Sequence, residues 1–278
     1  MKDKQSERDP RGVRIDRVGV KGLRYPIEVR DRAHKTQNTI ATIAMSVALP
    51  HHFKGTHMSR FVEVLNEHGR VIHVENIPDI LHQMRHRLDA EYAHLRIDFP
   101  YFIEKRAPVT GAPGMMDYGA SFLASARTPS RSKLASTENG GIDFVLGVSV
   151  PVTTLCPCSK AISARGAHNQ RGRVTLEVRS HVTIWIEELI ELVEASASCE
   201  LYSLLKRKDE KHVTERAYDR PVFVEDLVRN IAVRLRKDRR VRWFRVEAEN
   251  FESIHNHNAH AMVERYLRGK PSQPSSMG

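Results

Sequence analysis

The stretch IDFVLGVSVPVTTLCPCSKAISARGAHNQRGRVTLEVRSHVTI, residues 142–184, carries the strongest signals in the chain. Its first part, IDFVLGVSVPVTTL, is strand-like. GRVTLEVRSHVTI alternates apolar and polar residues, the pattern of a strand with one buried face. Between them lies a polar loop. It holds two of the chain's three cysteines, Cys156 and Cys158, and a histidine, His168. Fold and chemistry therefore have to be read together from this stretch.

Working outward, the same kinds of element recur on both sides. Upstream, NTIATIAMSVALP reads as a strand and HHFKGTHMS as a loop leading into RFVEVLNEHG. IPDILHQMRHRLDAEYA places Ile77, Ile80, Leu81, Met84, Leu88 and Tyr92 near helical spacing, with Pro78 in the first turn. HLRIDFPYFIEKRAP and MDYGASFLASART read as strands. Downstream, IWIEELIELVEASASCELYSLLKR reads as one helix with Ile186, Leu189, Ile190 and Val193 on one face, and Cys199 falls on its apolar side. PVFVEDLVRNIAVRLRKD reads as a helix opened by Pro221, and VRWFRVEAENF and NAHAMVERYL as closing strands.

Each half thus reads as two strands, one or two helices, then two strands. A short echo, GTHMSR at 55–60 and GAHNQR at 166–171, supports an internal duplication. The turn-rich TPSRSKLASTENGG is the candidate boundary. The expected organisation is a charged, irregular lead-in at 1–35, a first unit at 36–135, a second unit at 136–268 carrying most site motifs, and a disordered tail at 269–278. Such units predict an α+β fold: antiparallel sheets with helices layered on one face. The exposed sheet edges would be covered by assembly into a closed barrel.

The totals bound the function. The chain has 278 residues, 40% hydrophobic and 28% charged, an ordinary soluble composition. No apolar run is long enough to predict a membrane-spanning helix. The first residues, MKDKQSERDPRGVRIDRVGVKG, lack the apolar core of a secretory signal. Three cysteines make no disulfide framework, so the expectation is a cytoplasmic chain with reduced thiols. The formal charge of +10 suits a polyanionic partner. However, aromatics are only 6% and the basic runs KRKDEK and RLRKDRRVR are interrupted, which argues against nucleic acid. A phosphate-bearing small molecule fits better.

The candidate chemistry gathers in three places. Cys156-Pro157-Cys158 is too tightly spaced for a structural zinc pair, and no second pair follows. Pro157 is expected to keep the chain extended so that the two thiols diverge. His168 lies in a polar loop downstream. The second cluster, NFESIHNHNAH, holds Glu252, His255, His257 and His260; His255 and His257 share a face of an extended segment. The third, KRKDEKHVTERAYDRPVFVED, holds Asp209, Glu210, Glu215, Glu225 and Asp226, many of which would be helix-surface charges or caps. A thiol, imidazole and carboxylate set with an open position suits a metal that activates water.

The segments PVTTLCPCSKAIS, GAHNQRG, CELYSLLKRKDEKHVTERAYDRPVFVED and ENFESIHNHNAHA, with KGTHMSRFVEVLN in the first half, closely resemble the prokaryotic GTP cyclohydrolases of type IB. The match covers nearly all of residues 15–268. The resemblance implies tandem tunnelling-fold (T-fold) units in each subunit and a homotetramer with active sites at subunit interfaces. It also implies a divalent metal, zinc or manganese, and conversion of GTP and water to formate and 7,8-dihydroneopterin 3′-triphosphate on the way to tetrahydrofolate. By motif, Cys156, His255, Glu210 and His168 resemble metal-pocket residues, with Glu200 or Glu215 open as alternatives to Glu210 and His257 to His255. Glu225 resembles the acid that anchors the purine. Cys156, Cys158, His168 and Glu252 stand as catalytic or proton-transfer candidates. Lys160 and Arg171 are triphosphate candidates, with Lys206, Lys211, His57 and Arg60 behind them. Same-fold alternatives are a cyclohydrolase yielding a cyclic phosphate and a thiol-dependent nitrile reductase.

Overall fold

The structure, a computed structural model, describes residues 5, 7–69, 72, 74–127 and 141–267. The boundary segment expected at TPSRSKLASTENGG falls almost wholly outside the described residues, as do the tail 269–278 and residues 1–4. The first half contains β1 (Ile15–Asp31), β2 (Lys35–Leu49), α1 (Ser59–Glu67), α2 (Ile77–Arg87), β3 (Tyr92–Arg106) and β4 (Pro113–Arg127). The second contains β5 (Ile142–Leu155), α3 (Pro157–Ile162), β6 (Asn169–Ser180), α4 (Ile186–Glu194), β7 (Cys199–Glu200), α5 (Arg207–Asp219), α6 (Val224–Lys237), β8 (Val241–Asn250) and β9 (Ala259–Tyr266).

The strands form one open nine-stranded sheet in the order β1-β2-β3-β4-β5-β6-β8-β9, with β7 paired to β5. This corrects the expectation of tandem tunnelling-fold units closing into barrels. The strands of the second half add to the sheet begun by the first, and β1 and β9 remain as its two edges. Element order along a chain cannot show which strand of one half hydrogen-bonds to which strand of the other. The order of strands, helices and strands does recur in the two halves, but the short echo does not mark matching places. GTHMSR leads into helix α1, whereas GAHNQR leads into strand β6, so the two echoes stand in different structural contexts.

Two compact units divide the chain discontinuously. One takes the described residues within Met1–Pro100 and Ser121–Val145, the other those within Tyr101–Ala120 and Leu146–Gly278. In the first unit, β2 and β3 pair antiparallel with Ile43 opposite Ile97, Met45 opposite Leu95 and Val47 opposite Ala93. These inward side chains are fully buried or nearly so, as are Phe61, Val64 and Leu65 of α1 and Ile80, Leu81 and Met84 of α2. Helix α2 stops at Arg87, earlier than the apolar spacing suggested. Asp89 has φ of 46°, a left-handed conformation that ends a helix. The chain then enters β3 at Tyr92.

Residues 15–31, read from sequence as irregular, form the long edge strand β1. Two register shifts, between Ile15 and Val18 and between Val20 and Leu23, break its alternation. Beyond them Leu23, Tyr25, Ile27 and Val29 do alternate, and Ile27 and Val29 are buried. Gly19 sits against β2 so closely that a Cβ there would overlap the Met45 carbonyl.

In the second unit, β5, β6 and β8 share an inward face. Val150, Val174 and Ala248 form one row and Val148, Leu176 and Val246 the next. Helix α6 lies against β8 and β9 and buries Leu227, Val228, Ile231 and Leu235. Helix α4 buries Ile186, Leu189, Ile190 and Val193, the face read from sequence. It ends at Glu194, however, and the single long helix expected through Arg207 does not form. Ser196 Oγ donates back to the Leu192 carbonyl, and Ser198 Oγ accepts the Leu155 N–H. Cys199 and Glu200 then pair with Thr153 and Val152 of β5. Cys199 is buried as expected, but on a strand rather than a helix.

Candidate active site

Toward one end of the second unit's sheet the inward face turns polar. Beyond the row Val152, Gly172 and Asn250 comes the pair Thr154 and Gln170. A Cβ at Gly172 would come within 2.8 Å of Asn250 Oδ1, so a larger residue there would make the Asn250 side chain shift. One step further the β5–β6 ladder ends with the Cys156 N–H donating to the His168 carbonyl at 3.1 Å. That bond makes Cys156 and His168 cross-strand neighbours and closes the loop between them. The loop is built around Ser159. Its Oγ accepts the His168 N–H at 3.2 Å and donates to the Cys156 carbonyl at 3.1 Å.

Cys156 has extended backbone and caps α3, its Sγ accepting the Ser159 N–H at 3.4 Å. Pro157 opens that helix rather than extending the chain, a correction with a plain cause: its fixed φ suits a first helical position. The two thiols do differ in setting, Cys156 half-buried and Cys158 exposed. Lys160 donates to the Tyr218 carbonyl, with its ammonium 4.1 Å from the centre of the Tyr218 ring. The end of α5 is thereby tied to α3. The Val222 N–H donates to the Leu155 carbonyl at 3.0 Å, which brings the start of α6, and the exposed Glu225 in its first turn, to the same end of the sheet.

Arg171 is exposed at the beginning of β6. Its carbonyl accepts the Phe251 N–H at 2.8 Å, so the loop 251–258 starts beside it. Asn258 closes that loop on Glu249 at 2.8 Å. The loop carries Glu252, half-buried, and His255 and His257, both exposed with stacked rings 5.1 Å apart. His260 lies beyond it on β9, opposite Glu249.

Backbone contacts therefore bring Cys156, Cys158, Lys160, His168, Arg171, Glu225, Glu252 and His255 to one end of the sheet. Glu210 is not among them. It is exposed in the first turn of α5, whereas the last turn of α5 is the part tied to Lys160. Eight residues of helix separate Glu210 from Tyr218, about 12 Å. Of its alternatives, Glu200 is committed to Tyr202 Oη at 2.6 Å and Arg216 at 2.9 Å, and Glu215 is exposed beside Lys211 at 3.7 Å. Among the described residues no group of three or more His, Cys, Asp and Glu is arranged to hold a metal ion.

Comparison with known proteins decides the family. The model of the type I GTP cyclohydrolase folE2 family matches residues 1–261. The chain belongs to the type I GTP cyclohydrolase FolE2 family. Its relatives include the GTP cyclohydrolase FolE2 of Syntrophotalea carbinolica, 54% identical over 275 residues and 99% of each chain. That of Akkermansia muciniphila is 55% identical over 269 residues, 96% of this chain and 98% of the relative. As a member of this family the chain is an enzyme of the GTP cyclohydrolase class. Among solved structures it is similar to the urate oxidase of Bacillus sp. TB-90, with TM-score 0.52, 9% identity, and coverage of 91% of this chain and 100% of that one. A highly active mutant of the same enzyme gives TM-score 0.54 at 9% identity. At that identity the likeness concerns the fold alone, and it agrees with the open antiparallel sheet. No helix among the described residues is long and apolar enough to cross a membrane.

Sequence reasoning missed three polar residues of this end of the sheet. Ser159, Thr154 and Gln170 all lie inside quoted motifs, but none is titratable or a strong ligand. A signal was present for Gln170. It falls in phase with Gly172, Val174, Leu176 and Val178, the inward positions of β6, where an amide is out of place.

Proposed function

We propose that the chain hydrolyses GTP to formate and 7,8-dihydroneopterin 3′-triphosphate, the cyclohydrolase step that feeds tetrahydrofolate synthesis, in the cytoplasm. The observation that carries this reading is identity above one half with FolE2 cyclohydrolases over nearly the whole chain. Adding weight is the placement of Cys156 and His168 as neighbours at the polar end of the sheet.

The donor chemistry fits a divalent metal, zinc or manganese, since a thiolate, imidazoles and a carboxylate are ligands such ions accept. Cys156, His168, His255 and Glu210 would hold it. When bound, it acidifies water to a pKa of about 7 for attack on carbon 8 of the purine. Because Glu210 lies along α5 from the other donors, the set is completed by a second copy, in a homotetramer with sites between subunits. The other residues bind and move protons. The Glu225 carboxylate accepts two hydrogen bonds from the guanine ring N–H and exocyclic amine, a planar bidentate fit. Arg171, exposed at the start of β6, and Lys160 attract the triphosphate. His168, Cys158 and Glu252 transfer protons as the imidazole ring opens and formate leaves.

The test is turnover by the purified full chain supplied with manganese or zinc. Formate release and a fluorescent pterin after oxidation are expected together. Chelator should remove both, and Cys156→Ala should lower turnover by at least about a hundredfold, the lower end of the range for loss of a group that works in the transition state. A chain that binds GTP yet releases no formate with either metal overturns the reading.

A further inference from the structure

Gln170 is 7% exposed and Thr154 is 0% exposed, and they face each other across β5 and β6. The Gln170 amide is used at both ends. Its Nε2 donates to Thr154 Oγ1 at 3.1 Å, and its Oε1 lies 3.1 Å from His168 Nδ1. An amide oxygen accepts and cannot donate, so Nδ1 must carry the proton of this bond. The neutral imidazole is then held as the Nδ1–H tautomer, with the Nε2 lone pair directed away from the amide. The Thr154 hydroxyl anchors the far end of the amide, and burial keeps water from competing for either bond. The backbone does the rest: the His168 N–H is bound by Ser159 and its carbonyl by Cys156.

We propose that Gln170 is a positioning residue, anchored by Thr154, that sets the tautomer and ring direction of His168 so that Nε2 is the atom offered to the site. This rests on the reading of His168 as a working group of the cyclohydrolase site. Partners of this kind commonly contribute about 10–100-fold to metal affinity or activity.

The experiment uses the full chain loaded with manganese. Gln170→Leu keeps volume and removes both bonds; it should lower kcat at least about tenfold with KM for GTP within about twofold. Thr154→Val should lower kcat less, and Thr154→Ser, which keeps the hydroxyl, should restore it. Independently of turnover, ¹⁵N-histidine spectra of the chain loaded with diamagnetic zinc should show a Nδ1–H signal, assigned by its loss in His168→Gln, that changes tautomer in Gln170→Leu. Wild-type kcat in Gln170→Leu, an unchanged tautomer, or equal losses in Thr154→Ser and Thr154→Val would overturn the positioning role. Full turnover by His168→Gln would instead sink the underlying reading of the site, so the two failures are distinguishable.

Discussion

A cysteine's surroundings decide what its sulfur can do, and this chain holds contrasting cases. Cys199 is 1% exposed. Burial, with the Glu200 carboxylate beside it, pushes its thiol up to about 11, so it stays protonated and unreactive at ordinary pH. Cys158 is exposed on α3. Iodoacetamide at pH 8 should therefore label Cys158 in the native protein and spare Cys199, while all three cysteines react in denaturant; peptide mass spectrometry reads this directly. Equal native labelling of Cys199 and Cys158 would contradict the burial assigned to Cys199. The sequence placed Cys199 in the core from helical apolar spacing. The residue is indeed buried, though by a different route, because two serines bond to backbone groups and turn the chain into β7.

Helix α5 shows how one buried side chain can hold an element in place. Asp209 is 0% exposed. Its carboxylate accepts the Val109 and Thr110 N–H groups at 2.9 Å each, the Thr110 hydroxyl at 2.6 Å and the Lys206 N–H at 2.9 Å. The start of α5, from which Glu210 projects, is thereby pinned to the turn between β3 and β4. Burial alone would raise this carboxyl, but the hydrogen bonds from Thr110, Lys206 and Val109 outweigh it and hold it well below its ordinary value of 3.8. A depressed carboxyl stabilises the fold above the unfolded value, and that contribution is lost as pH falls through the folded one. Asp209→Asn should therefore unfold at lower urea than wild type at pH 7, with the gap narrowing as the pH drops below 3.8. A gap that widens in acid would refute the assignment. From sequence, Asp209 was one acid among six in its cluster. Lys206 is a neighbour three residues back, but Val109 and Thr110 lie about a hundred positions away, so no local pattern could show that this acid is buried against them.

At the scale of the whole molecule, the open sheet leaves β1 and β9 as edges, and unpaired strand edges are liabilities unless covered. The donors proposed for the metal also do not converge among the described residues of one chain. Both observations fit a protein that works as an assembly. Light scattering on a sizing column should give a mass near four times the 31.7 kDa chain. Variants Glu210→Ala and His255→Ala, each inactive alone, should regain partial turnover when mixed and reassembled, since mixed interfaces can contain one intact donor set. A monomer with full turnover would exclude sites shared between copies.

The sequence by itself determined most strands and helices, the inward faces of β6, α2 and α4, and, through its motifs, the family. Those signals are periodic or contiguous, and neighbouring residues suffice to carry them. Only the tertiary structure decided that all nine strands join one open sheet, that residues 15–31 form its edge, that α4 stops before Cys199, and that Gln170 lies between His168 and Thr154. Each of these depends on hydrogen bonds between residues on different elements. A buried polar group must find its partner in space, and the sequence does not record where that partner will be.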